Sequence, residues 1–144
     1  HTRLQGDWSS DVCSSDLHFQ NQSLELMSDY QDRKYSKVIR KIMSLCDEAN
    51  KYIDKEKPWL LAKSEDQKDK AIQVCSDGIQ LFRILIIFLK PIIPDIAKKS
   101  ELFLNAESLL WVDHKKLING EHIQDFSPIL SRIEMDQLNT LKGN

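Results

Sequence analysis

Hydrophobic residues recur at helical spacing through most of the chain. The clearest stripe consists of positions three or four residues apart, namely Tyr35, Val38, Ile42, Leu45, Ala49 and Tyr52. That spacing is typical of an α-helix with one buried face. A second long helix is predicted after Ser64-x-x-Gln67, which has the form of a capping box, and it is apolar on nearly all sides towards Leu89. A helix that is apolar all round is enclosed by its neighbours, so this one is predicted to be central.

Prolines mark the expected breaks between helices. Pro58 is predicted to end the first long helix or to start a short one, and Pro91 to end the central helix. Pro94 is predicted to open a further helix that reaches about Asn105, and a last short helix is predicted from Glu134 to Leu141. The expected fold class is therefore all-α, a helical bundle with mostly short connections.

The N-terminal segment, residues 1–17, shows neither helical nor strand periodicity. Its sequence, HTRLQGDWSSDVCSSDL, lacks the apolar region of a signal peptide. Asp7 to Leu17 reads as the in-frame translation of a commonly used DNA sequencing adapter; a natural Ser-rich linker is the alternative. The predicted layout is adapter over 1–17, an incomplete helical bundle over 18–133, and the start of a C-terminal extension or linker over 134–144. On this interpretation the native protein extends further on the N-terminal side.

The composition is that of one globular domain. A length of 144 residues suits about one domain, and 41% hydrophobic with 29% charged residues permits a buried core. The formal charge of −2 becomes zero once the acidic and basic residues of 1–17 are excluded, which argues against a general nucleic-acid coat but is compatible with a local RNA site. The apolar run Ile84 to Leu89 is shorter than the ~20 residues of a membrane span, so no membrane partner is expected.

Recognisable catalytic and metal-binding motifs are missing from the sequence. Cys46 and Cys75 do not form a C-x-x-C pair, and no Cys/His cluster has metal-ligand spacing; both are expected to be buried, reduced thiols. His18, His114 and His122 occur in terminal or loop-like stretches and are expected to be solvated or packed. We therefore predict no catalytic residue, no metal and no cofactor in this segment.

The most informative stretch is Tyr52 to Lys63, with the sequence YIDKEKPWLLAK. Considered alone, a tryptophan that follows a proline at a helix junction, as Trp59 follows Pro58, is usually a core residue. The other interpretation is a stacking platform, in which the rigid proline holds the indole so that one face meets an unpaired RNA base. Such a stack contributes ~1–3 kcal/mol. These residues by themselves leave both interpretations open.

A series of short strings, in order and without large gaps, resembles the anticodon-binding domain of methionyl-tRNA synthetases. They are VIRKIM at 38–43, ANKYID at 49–54, KPW at 57–59, LFRIL at 81–85, LKPIIP at 89–94, FLN at 103–105 and LSRI at 130–133. The resemblance covers about residues 30–135. It implies a helical bundle of the class I aminoacyl-tRNA synthetase anticodon-binding type, truncated here on its N-terminal side.

The resemblance also implies a function. The family attaches methionine to tRNA(Met) with ATP and magnesium, and its helical domain reads the CAU anticodon. Trp59 matches the family tryptophan that stacks on the first anticodon base, and Pro58 and Asp54 match neighbours that shape its pocket. The family's other anticodon readers and its catalytic signatures would lie upstream of His18. The expected partners are the tRNA(Met) anticodon loop and a catalytic domain of the same chain, in the cytoplasm, with no DNA and no membrane.

Two alternatives accompany this hypothesis. One is a stand-alone helical interaction module with Trp59 in its core, and the other is the equivalent domain of a related class I synthetase. Because the bundle is expected to be incomplete, part of its apolar surface is predicted to be exposed. The candidates are the Leu81–Leu89 helix and the seam formed by Val38, Ile42, Leu45 and Tyr52.

Overall fold

The computed structural model describes residues 17–116, 123–125, 127–131 and 134–142, and all secondary structure in these ranges is helical. A helical turn at 17–21 precedes the first longer helix. The α-helices are α1 Ser23–Gln31, α2 Tyr35–Glu56, α3 Pro58–Leu61, α4 Lys68–Leu89, α5 Pro94–Phe103 and α6 Met135–Lys142. Two 3₁₀ segments, Glu65–Gln67 and Trp111–Lys115, lie between them. The predicted all-α fold class is confirmed.

Helix α2 buries its apolar face within this chain, so the predicted exposure of its seam is wrong. Val38, Ile42 and Leu45 are all buried, because α1 and α4 both pack against α2. The central helix is covered as well, and most of its side chains from Leu81 to Phe88 are buried. These residues join Phe19, Leu26 and Leu104 in one hydrophobic core. The apolar surface predicted to be open is thus the core of the bundle.

A different apolar strip is exposed on α2. Tyr35, Ile39 and Met43 follow one another at intervals of four residues and therefore share one side of the helix. Tyr35 is 52% exposed and Met43 is 50% exposed, and Ile39 is also accessible. We refer to these three side chains as the α2 strip. It lies in the N-terminal half of the helix, away from the core-facing seam.

Helix α4 is the central helix that its all-round apolarity predicts, but it does not begin with the predicted capping box. Ser64 precedes the 3₁₀ segment and makes no side-chain capping hydrogen bond. The N–H of Gln67 instead donates to the main-chain carbonyl of Ser64 at 3.1 Å. The tight 3₁₀ turn therefore satisfies the donor that the serine hydroxyl would have bonded, and α4 starts only at Lys68.

The segment Glu65–Leu89 is, within the described residues, long and apolar enough to cross a membrane by length and composition. Its apolar window has a mean hydropathy of 1.7, and the expectation that the protein has no membrane partner stays a prediction. Of that window, 56% is buried inside the fold. Burial of this kind is also typical of the core helix of a soluble protein, and α2, α3 and α5 all pack against it.

Polar contacts tie the region after α5 back to the central helix. The buried guanidinium of Arg83 donates to the carbonyls of Asp113 at 2.8 Å and Lys116 at 2.7 Å. Gln80 donates to the same Lys116 carbonyl at 3.1 Å. The Asp113 carbonyl also accepts from the N–H of Lys116 at 3.0 Å, so the bonds from Arg83 and Gln80 hold the end of the second 3₁₀ segment against α4.

The proline breaks and the last helix agree with the sequence prediction. Pro58 and Pro94 each occupy the first turn of a helix, α3 and α5. Helix α4 ends at Leu89, just before Pro91. The last helix starts at Met135, one residue after the predicted start. Local chain stiffness determines these positions, because proline has a fixed φ and no N–H group.

Candidate nucleic-acid interface

The junction between α2 and α3 is a sharp corner built around Lys57. This residue has left-handed backbone angles, with φ at 48° and ψ at 61°. Its N–H still donates to the carbonyl of Ile53 at 2.9 Å, which closes the last turn of α2. The chain then leaves the helical path, and Pro58 begins α3 at a position where a missing N–H costs nothing. The sequence K-P-W therefore places Trp59 at the outside of a corner.

Pro58 and Trp59 have opposite environments at this corner. The ring of Pro58 is buried, whereas Trp59 is 51% exposed and its neighbour Leu60 is also exposed. Helix α3 packs against α4, so the corner is anchored from beneath while the indole remains accessible. The interpretation of Trp59 as a core residue is therefore wrong. An accessible aromatic face on a rigid support is what base stacking requires.

The last two turns of α2 add polar side chains beside this corner. Asp54 is exposed, and Asn50, one turn earlier, is exposed as well; side chains four residues apart lie on the same side of a helix. The structure thus brings Asp54, Pro58 and Trp59 into one corner.

The segment around the corner carries an excess of positive charge. Over residues 51–63 there are four lysines, Lys51, Lys55, Lys57 and Lys63, and two acidic residues, Asp54 and Glu56. Cationic side chains in such a position suit contacts with phosphate groups.

Beneath the corner, Tyr52 and Asp77 form a polar contact that the sequence analysis missed. The Tyr52 hydroxyl donates to Oδ2 of Asp77 at 2.7 Å, and Nε2 of Gln73 donates to Oδ1 at 2.9 Å. Asp77 is buried, and burial raises the pKa of its carboxyl group while the bonds from Tyr52 and Gln73 partly offset that rise. The signal in the sequence was weak, because Asp77 follows the polar residues Gln73 and Ser76 in the first half of α4.

The histidines and cysteines do not form a metal site within the described ranges, where no three His, Cys, Asp or Glu side chains cluster suitably. His18 is exposed, and its Nε2 lies 3.1 Å from Oε2 of Glu48. His114 is buried in the fold, and His122 lies outside the described residues. Cys46 is half-buried, but Cys75 is exposed. The expectation of two buried thiols is therefore wrong for Cys75, which lies on the outward side of α4.

Comparison with known proteins identifies the family of this chain. Residues 11–141 match the family described as the anticodon binding domain of methionyl tRNA ligase. Methionine–tRNA ligases of Francisella tularensis subsp. tularensis and subsp. holarctica are each 43% identical over 112 residues, which is 78% of this chain. The chain spans only 17% of the length of those relatives.

A solved structure shows the same fold. The apo form of Mycobacterium tuberculosis methionyl-tRNA synthetase superposes with a TM-score of 0.81 over 92% of this chain and 28% of that protein, at 18% sequence identity. The resemblance of the short strings to this family is confirmed, and so is the helical bundle that it implied. The chain belongs to the family of anticodon-binding domains of methionyl-tRNA ligases.

Proposed function

We propose that this domain reads the CAU anticodon of tRNA(Met) for a parent methionine–tRNA ligase in the cytoplasm, and that the parent attaches methionine to that tRNA using ATP. The observation that carries the proposal is the half-exposed indole of Trp59, held at the α2–α3 corner by the buried Pro58. The much greater length of the methionine–tRNA ligases that match this chain supports a parent that carries its catalytic domain elsewhere.

Each residue of the corner has a distinct role in this proposal. Trp59 stacks on the first anticodon base, which contributes ~1–3 kcal/mol but distinguishes bases poorly, since every base has a π-face. Discrimination then depends on polar groups that meet the base edges. The Asp54 carboxylate can accept a hydrogen bond from an amino group such as that of cytosine. Pro58 keeps the indole at a fixed angle to the end of α2.

ATP and magnesium belong to the proposed parent activity and not to this domain. The described residues contain no cluster of carboxylate or imidazole ligands for a divalent ion, and the sequence has no glycine-rich phosphate loop. The proposal therefore assigns no step of adenylate chemistry to the described residues.

The test is Trp59→Ala in the full-length parent. Charging of tRNA(Met) should fall about 5- to 150-fold in kcat/KM, which corresponds to loss of one stacked base. Methionine-dependent ATP–pyrophosphate exchange should stay near the wild-type rate, because the anticodon lies far from the amino-acid-accepting end of tRNA. The melting temperature should change little, because the indole is half-exposed. Trp59→Phe should restore part of the charging activity, since a smaller ring still stacks.

Tyr35→Ala is the matched control. Tyr35 is an aromatic residue with nearly the same exposure as Trp59, but it lies at the other end of α2, about 30 Å away at 1.5 Å per residue. Its loss should leave charging unchanged. Equal losses of exchange and charging in Trp59→Ala, with a lowered melting temperature, would contradict the anticodon assignment.

A second candidate function follows from the α2 strip. Three exposed apolar side chains at four-residue spacing, Tyr35, Ile39 and Met43, suit docking of a partner helix. If helix docking were the main role of the domain, an RNA stem-loop with the CAU anticodon would bind no better than one with an unrelated anticodon. The anticodon-reading proposal requires a clear preference for CAU in the same titration.

A further inference from the structure

Three contacts fasten the C-terminal end of α2 to the central helix. The first is the hydrogen bond from Tyr52 to Asp77, described above. In the second, the tip of the Ile53 side chain lies 3.0 Å from the position that a Cβ on Gly78 would occupy, so the two helices approach closely there. The third is an ion pair between Glu56 and Lys70 at 3.4 Å. All three lie within two helical turns of the Lys57 corner.

We propose that Tyr52 and Asp77 are positioning residues for anticodon recognition, acting through Trp59; this inference rests on the proposed function of the corner. The bond holds the last turns of α2 against α4, and α3, which carries Trp59, packs against that same helix. The direction in which the chain leaves α2 therefore depends on this bond. Binding groups need support within about 0.5 Å from hydrogen-bonded neighbours to keep a productive geometry.

The choice of an aspartate at position 77 supports a positioning role. Taking a carboxylate out of water is costly, and a well-packed apolar residue at such a position often gives equal or greater stability. A bond to an ionised acceptor is short and directional, which an apolar contact is not. Asp77 thus fixes the orientation of Tyr52 at a site where burial alone would favour a hydrocarbon side chain.

The experiment is a double-mutant cycle in the full-length parent, with dissociation constants measured for an anticodon stem-loop RNA that carries CAU. Tyr52→Phe should weaken binding about 3- to 10-fold, less than the ~5- to 150-fold expected for Trp59→Ala. In the Trp59→Ala background, Tyr52→Phe should cause no further loss, because residues that act through one another are not additive. Asp77→Asn, which keeps an oxygen that can accept from Tyr52, should lose less affinity than Asp77→Ala.

Tyr30→Phe is the matched control for this cycle. It also removes a tyrosine hydroxyl bonded to α4, but at Phe88, about 16 Å further along the helix. It should lower the melting temperature without changing the dissociation constant. Two outcomes would overturn the inference and leave the proposed function standing. One is wild-type affinity in Tyr52→Phe; the other is an equal loss of affinity on Tyr52→Phe in the wild-type and the Trp59→Ala backgrounds. Wild-type affinity in Trp59→Ala would overturn both.

Discussion

The hydroxyl of Tyr30 donates a hydrogen bond of 2.5 Å to the main-chain carbonyl of Phe88. That carbonyl belongs to the last turn of α4, and the N–H four residues on, that of Ile92, bonds to Leu89 instead. A side chain from α1 thus satisfies an acceptor that Ile92 leaves without its helical donor. The same bond joins the first helix of the described bundle to its centre.

Removal of this hydroxyl should have an effect that depends on pH. Burial raises the pKa of Tyr30 to about 12, from 10.0. Its contribution to stability is therefore fully present below pH 10.0 and is lost as the pH rises through the folded-state value. Tyr30→Phe should cost about 1 kcal/mol near neutral pH, and the difference from wild type should shrink in alkaline solution. Urea unfolding of both proteins across this range measures it; a difference independent of pH would contradict the assignment.

The two apolar faces of α2 should respond differently to truncation. Ile42→Ala removes a fully buried side chain from the core and should reduce the free energy of unfolding by about 2–5 kcal/mol. Met43→Ala, next to it but half-exposed, should change stability by no more than about 0.5–1 kcal/mol. Denaturant midpoints at constant m-value give both numbers. Comparable losses at the two positions would mean that the α2 strip is covered in solution.

The close approach at Gly78 should appear as coupling with Ile53. Alanine in the middle of a helix is favoured over glycine by about 0.5–1 kcal/mol, but a Cβ at position 78 would lie 3.0 Å from Cδ1 of Ile53. We expect Gly78→Ala to be neutral or destabilising in the wild-type chain. Combined with Ile53→Val, which removes that methyl group, the same change should stabilise the protein. Thermal unfolding of the four variants tests this, and additive effects would refute the contact.

Asp77 should make stability depend on pH in the opposite sense to a salt-bridged carboxylate. Its folded-state pKa is raised above the ordinary 3.8, chiefly by burial. The contribution to stability is fully present below pH 3.8 and is lost as the pH rises through the folded-state pKa. Relative to wild type, Asp77→Asn should therefore gain stability as the pH increases over that interval. Urea unfolding of wild type and Asp77→Asn at several pH values over that interval checks this, and parallel pH profiles would contradict it.

The corner residues could be selected from the sequence, but their geometry could not. The string K-P-W predicts a helix break at Pro58 because proline restricts the local backbone whatever surrounds it. Whether Trp59 points inward or outward depends on how α3 packs on α4. That packing exists only in the folded chain. The assignment of Trp59, Pro58 and Asp54 to anticodon binding stays a prediction until RNA binding is measured.

The sequence by itself determined where helices form and where they stop. The signals were the periodicity of α2, the all-round apolarity of α4 and the prolines at 58, 91 and 94. Each of them acts over one or two helical turns and does not depend on which other helices pack nearby. Only the tertiary structure decided which faces are covered: Val38 and Ile42 are buried while the α2 strip is exposed. It also decided that Asp77 meets Tyr52 across 25 residues of chain. Burial is a property of the neighbours that a helix meets, and those neighbours come from distant parts of the chain.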